Sequence, residues 1–148
     1  MRILHVDPDI SDTATFLKET GATADQSLNS IVVSTKKSGE RHNALVLVPA
    51  THRLDNKGLK RALGGKTSFL PMNEALALTG MERDSIGPIG VPEYLPVVAD
   101  LNAIKGDEFY IGGGKLGRKY VISRQELIAA VDQSVVGIYV PIEYCFSL

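Results

Sequence analysis

The sequence has no tryptophan and a single cysteine, Cys145. One cysteine cannot build an internal disulfide framework, and its use fits a reducing cytoplasm. Its place near the C-terminal end, with no histidine spaced beside it, argues against a thiol nucleophile. Aromatic residues make up 6% of the chain, too few for a broad base-stacking platform. Charge of either sign is not in excess: 16 Lys and Arg against 17 Asp and Glu leave a net −1. A polyanion must therefore be met by a local patch and not by the molecule as a whole. No apolar run approaches the roughly 20 residues of a membrane-spanning helix. The first residues, Met-Arg-Ile-Leu-His-Val-Asp-Pro, carry no signal-peptide hydrophobic stretch. These absences predict a cytoplasmic chain with neither DNA nor membrane as partner.

What is present fits one globular domain over residues 1–148. The 44% apolar and 22% charged shares are ordinary, and this length buries about two-thirds of its unfolded surface. Residues 2–6 form a short apolar run ended by Pro8. Ser11 or Asp12 is placed to cap a helix that turns Phe16 and Leu17 inward and stops at Gly21. The β-branched stretch 31–33 and the apolar stretch 44–49 predict two strands of a hairpin around Gly39. Asp55 predicts the cap of a helix carrying Leu59, Ala62 and Leu63, which Gly64-Gly65 ends. Pro71 predicts the first residue of another helix, with Ala75, Leu76 and Leu78 inward and Gly80 at its end. Strands are expected at 96–99, 108–111 and 120–122. Ser123-Arg-Gln-Glu126 is a capping box, opening a helix with Leu127, Ile128 and Val131 as its apolar stripe. Residues 135–140 are strand-like. Clustered strands with short helices between them at uneven intervals predict an α+β domain with a mixed, curved β-sheet.

Several chemistries fail on spacing. Gly112-Gly-Gly-Lys-Leu-Gly117 satisfies G-x-G-x-x-G, but it comes late and does not open into a helix, so no dinucleotide is expected. His5, His42 and His52 show no metal-ligand spacing among themselves or with Cys145, and there is no G-x-S-x-G elbow. Neither a metal nor any other cofactor is expected. Two features remain open. Residues 84–92, Asp-Ser-Ile-Gly-Pro-Ile-Gly-Val-Pro, are too rich in glycine and proline for a helix or central strand. With Ile86, Ile89 and Val91 packed, they make either a structural turn or a stiff loop whose bare backbone receives a small polar ligand. Basic residues gather at 36–41, 57–66 and 115–119, as a solvated face or as islands converging on a phosphate-bearing ligand. Lys115, flanked by glycines, is the sharpest of these.

Three blocks together resemble the YbaK/ProX family, which also occurs as the inserted editing domain of bacterial prolyl-tRNA synthetases. The first, Gly21-Ala-Thr-Ala-Asp-Gln-Ser-Leu-Asn-Ser-Ile-Val-Val33, is similar to the family's Gly-x-x-x-Asp-Gln-x-x-Lys-Thr-Leu-Val-Val. The second, residues 46–63, holds Val-Pro-Ala-Thr-His-Arg-Leu-Asp and Lys-Arg-Ala-Leu-Gly. The third runs from Asn73-Glu-Ala through Thr79-Gly80 and Ile86-Gly-Pro-Ile-Gly90 to Val98-Ala-Asp100 and Gly113-Gly-Lys115. Serial agreement covers about residues 5–132, leaving 133–148 as an extension suited to covering a sheet edge or pairing two subunits in a homodimer.

The resemblance implies a free-standing aminoacyl-tRNA deacylase, which hydrolyses the ester joining a wrong amino acid to the acceptor end of tRNA. It also implies a site. Asn29 falls at the family's lysine position and would hydrogen-bond substrate in place of the missing charge. Ser85, Ile86, Gly87, Pro88 and Gly90 would cradle the aminoacyl-adenosine end, with Gly113, Gly114 and Lys115 opposite. The departures suit an alternative, a catalytically silent binding module of the same fold for tRNA ends, nucleotides or a protein partner. They are Asn29, and Asp84 where the family has the loop's first glycine.

Overall fold

The structure, a computed structural model, describes residues 1–8 and 13–142. In chain order the first elements are β1 (Arg2–His5), α1 (Thr13–Thr20), β2 (Leu28–Lys37), β3 (Glu40–Pro49), β4 (His52–Leu54), α2 (Asn56–Leu63) and β5 (Lys66–Phe69). Then follow α3 (Met72–Thr79), β6 (Val97–Ala99), β7 (Glu108–Gly112), β8 (Arg118–Ser123), α4 (Arg124–Ala130), β9 (Gln133–Ser134) and β10 (Tyr139–Pro141). Ser11 and Asp12, expected to cap α1, and Cys145 lie outside the described residues.

A long hairpin is the frame. β2 and β3 pair antiparallel along their full length, from Leu28↔Pro49 to Lys37↔Glu40. Ser38 and Gly39 turn between them with φ of 49° and 83°, the left-handed pair that matches strand twist in a two-residue turn. The strands run further than their apolar centres suggest, because paired backbone carries the polar residues 36–43 along. β5 adds antiparallel to β2, while β6 and then β9 add in parallel beyond β3, so the order is β5-β2-β3-β6-β9. A second sheet, β1-β8-β7, is antiparallel. A parallel bridge between Ser27 and Tyr110 joins it to the start of β2. The expected α+β class with a mixed sheet is what the chain forms.

Alternation on the hairpin divides the core. Leu28, Val32, Leu45 and Leu47 face a cluster with Leu95, Val97, Phe109, Ile111, Ile122 and Leu127. Val33, Val46 and Val48 face another with Leu54, Leu59, Leu63 and Ile138. α2 is held by local chemistry: Asp55 accepts from the Gly58 amide at 3.2 Å, and Gly64 closes the helix at φ 80°. The capping box at α4 forms as expected between Ser123 and Glu126.

Three expectations need correction. Pro71 is the N-cap of α3 and not its first residue, since its ψ of 143° is extended. Ile128, expected in the apolar stripe of α4, is 50% exposed, and Leu127 alone in that helix is fully buried. Residues 135–140 do not make one strand: β9 ends at Ser134, Gly137 turns the chain at φ 74°, and β10 starts at Tyr139. The short strands β4 and β5 carry no apolar alternation that could announce them. The described part of the C-terminal extension covers an edge, with β9 flanking β6 and β10 flanking β4.

Candidate functional site

At the N-terminal end of β2, where the two sheets meet, lies a cleft of about 190 Å³. Ser27, Leu28, Asn29 and Ser30 line it from the β2 side. Tyr110, Ile111 and Gly112 come from β7, Lys119 from β8, Met72 from α3, and Asp84 and Ile86 from the glycine-proline loop. Register explains the grouping. Phe109, Ile111 and Ile122 turn into the core, so Tyr110, Gly112 and Lys119 take the opposite face of the antiparallel pair, with Gly112 directly opposite Lys119. That face meets α1. The Phe16 ring packs edge-on against Tyr110 at 5.5 Å, and the Lys119 ammonium stands 5.1 Å from the Phe16 centroid.

Of the residues expected from the sequence, Asn29 and Ile86 line the cleft together. Ser85 and Gly87 are buried just behind it, whereas Pro88, Gly90, Gly113, Gly114 and Lys115 are not among its lining residues. The reason is physical. The close approach that these glycines permit is taken up by the protein's own backbone. A Cβ on Gly87 would overlap the carbonyl oxygen of Gly112, and a Cβ on Gly112 would overlap that of Ile86. The Gly114 amide donates to the Ser85 carbonyl at 2.6 Å, and the Glu82 amide to the Gly114 carbonyl at 3.0 Å. The turn is also pinned through the Glu82 carboxylate, which accepts from the Leu116 amide at 2.9 Å. Loop 84–92 is thus rigid and packed, with Ile86, Ile89 and Val91 against the core as expected.

Lys115 is exposed on that turn, and the cation at the cleft is Lys119, only 8% exposed. The sequence carried a signal for it in strand alternation, which puts Lys119 and Val121 on one face of β8 and Tyr120 and Ile122 on the other. Two further observations mark the cleft. The buried Ser30 hydroxyl has no hydrogen-bond partner among the described residues. Asp84 takes a φ of 63°, a left-handed conformation in which glycine is unstrained and aspartate is tolerated. Among the described residues no group of three His, Cys, Asp or Glu side chains could hold a metal ion, and no helix is long and apolar enough to cross a membrane.

The chain thus combines a mixed α+β fold with a cleft where its two sheets meet. The chain belongs to the aminoacyl-tRNA editing domain family, whose model matches residues 7–130. Proline–tRNA ligase from Listeria innocua serovar 6a is 41% identical over 63 residues, which is 42% of this chain and 11% of that protein. The chain therefore spans about a tenth of the length of that relative. Two solved structures share the fold. Hypothetical protein APE2540 matches with a TM-score of 0.82 and 21% identity, over 93% of this chain and 90% of that one. A candidate trans-editing enzyme for prolyl tRNA synthetase matches with a TM-score of 0.79 and 23% identity, over 93% and 85%.

Proposed function

We propose that the cleft receives the aminoacylated 3′ end of tRNA and hydrolyses the ester of a mischarged amino acid. The carrying observation is that Asn29, Ser30 and the nearly buried Lys119 line one cleft of a family member's fold. In the reaction a water oxygen adds to the ester carbonyl carbon, and the carbonyl oxygen becomes an oxyanion. Collapse breaks the bond to the ribose oxygen, which takes a proton and leaves as tRNA. Lys119 supplies positive charge toward the developing oxyanion or the terminal phosphate. The Asn29 amide donates a neutral hydrogen bond, and Ser30 completes its own bonding on the ligand. Charge held in a partly buried cleft stabilises such an oxyanion more than it would in water. The chain acts in this reading as a single domain in the cytoplasm, where tRNA is charged. Ser85, Gly87 and Gly112 shape the wall of the site, and Lys115 stays at its margin. The test is a panel of tRNAs mischarged with different amino acids. Hydrolysis of at least one above the buffer rate is expected, and none above it overturns the activity.

A second reading rests on Asn29, uncharged where the family's motif has lysine, and on the Asp84 carboxylate at the cleft. A silent module of the same fold would bind the tRNA end without cleaving it. Asn29→Lys separates the two. Hydrolysis that appears or rises in the variant marks a weakened enzyme site, and binding with continued silence favours the module.

A further inference from the structure

Cations from two of the basic islands meet on one face of the main sheet. Lys36 lies directly opposite Arg41 on β3 and directly opposite Lys66 on β5. Paired residues in a sheet project to the same side, so Lys66, Lys36 and Arg41 form a row across three adjacent strands. The side-chain contacts agree with this assignment. Arg41 Nη1 donates to Ser34 Oγ at 3.2 Å, which sets Arg41 on the face of Ser34 and Lys36. The hydroxyls of Thr35 and Thr67 meet at 2.8 Å on the other face. Glu40, paired with Lys37, takes that other face too, beside His42 at 3.9 Å. All three cations are exposed, and among the described residues none lies within 4.0 Å of a carboxylate. Like charges set directly opposite on a sheet destabilise it, so a row without counterions is an arrangement that a polyanion would relieve.

Its position is also informative. Ser30 of the cleft and Lys36 of the row share one face of β2, six residues apart, or roughly 20 Å at the rise of a strand. A double helix carries about one phosphate charge per 1.7 Å of axis, so on the order of ten phosphates span that separation. We infer that Lys36, Arg41 and Lys66 form a docking surface for the phosphate backbone of the RNA whose 3′ end enters the cleft. This rests on the reading of the cleft as a tRNA-end site and adds where the body of the tRNA lies. The contact is to phosphates, so it sets position and affinity and reads no base.

The test is equilibrium binding of deacylated tRNA across a KCl series. Lys36→Gln/Arg41→Gln/Lys66→Gln is compared with wild type and with Lys18→Gln/Lys105→Gln, which removes exposed cations elsewhere. The row variant is expected to bind at least tenfold more weakly at 100 mM KCl. Its log–log salt slope should be shallower by about 1 for each phosphate that the variant no longer neutralises. The control pair should stay within about twofold, as expected for charges that touch no phosphate. Thermal unfolding should show the row variant as stable as wild type or more so, because repulsion is removed. Wild-type binding with an unchanged salt slope in the row variant overturns the surface and leaves the cleft reading intact. An equal loss in the control pair also overturns it. No binding of wild type to tRNA removes the surface and the cleft reading together. Binding to phosphatidylserine vesicles in place of tRNA assigns the row to a lipid surface and overturns the inference.

Discussion

The cleft and the C-terminal closure treat their polar groups in opposite ways. In the closure they are matched. The Tyr139 hydroxyl donates to the Leu47 carbonyl and accepts from the Asp100 amide. Asp100 in turn accepts from the amides of Asn102, Ala103 and Gly137. In the cleft Ser30 has no partner, a lysine is nearly buried, and Asp84 sits in a left-handed conformation. An unmatched buried hydroxyl costs about 1–3 kcal/mol. A fold able to satisfy the closure so fully leaves the Ser30 hydroxyl for a ligand to complete, which is why the cleft and not the closure reads as functional.

The largest effects should come from glycines that let backbones touch, one in each region. A Cβ at Gly58 would overlap the carbonyl of Gly137 in the closure, and one at Gly87 would overlap that of Gly112 behind the cleft. Each alanine should cost about 3 kcal/mol, since backbone cannot yield as a side-chain tip does. At Gly58 this outweighs the roughly 1 kcal/mol of helix propensity gained. Urea unfolding reads both losses, and tRNA binding per folded molecule separates them. Gly58→Ala should bind like wild type, whereas Gly87→Ala should not. Equal binding by the two variants would break the comparison.

Next in size is the cation. Lys119→Met keeps the apolar stem and removes the charge. Hydrolysis of a sensitive aminoacyl-tRNA should fall about 100-fold, equivalent to about 2.7 kcal/mol of transition-state stabilisation. Lys115→Met, on the exposed turn, should stay within about twofold, because a solvated charge contributes little. Single-turnover deacylation measures both, and the reverse ranking would return the role to Lys115.

That pair also shows what could be read from the residues alone. Asn29 and Ile86, expected near one another from the sequence, both line the cleft, whereas Gly113, Gly114 and Lys115 do not; the caps at Asp55 and Ser123 are legible as helix starts because local chemistry decides them. Alternation groups Lys119 with Val121 on one face of β8, but it does not by itself choose Lys119 over Lys115. That choice depends on which face of β8 meets α1, and on the loop at Ile86 occupying the space that the glycines leave. β4 and β5 are not legible in the sequence because their pairing comes from neighbouring strands and not from their own composition. Lys36, Arg41 and Lys66 read as separate islands until the register of β5 on β2 aligned them.

A middle-sized effect belongs to Tyr139. Burial pushes its phenol above the ordinary value near 10. A group whose folded pKa is raised gives stability that is complete below the unfolded value and lost as pH climbs beyond it. Wild type should therefore weaken above about pH 10 by this linkage. Tyr139→Phe should be less stable by about 1–2 kcal/mol at pH 7, through the two lost hydrogen bonds. The gap should narrow as pH rises past 10, seen as converging urea midpoints. A constant gap would mean that the hydroxyl is matched less well than its geometry indicates.

The smallest expected change in stability is the sharpest test of the contrast. Ser30→Ala deletes the hydroxyl that has no partner, with almost no change in volume. A matched hydroxyl in the closure would be missed, but an unmatched one is a burden on the free protein, so stability should hold or rise by up to about 1 kcal/mol. Binding should move the other way. If the ligand supplies the absent partner, affinity for the aminoacylated tRNA end should drop about three- to tenfold, the range of one neutral hydrogen bond. Stability and affinity measured on the same preparation give opposite signs only if the fold leaves Ser30 unmatched for a ligand to complete. A loss in both would place Ser30 with the structural groups of the closure.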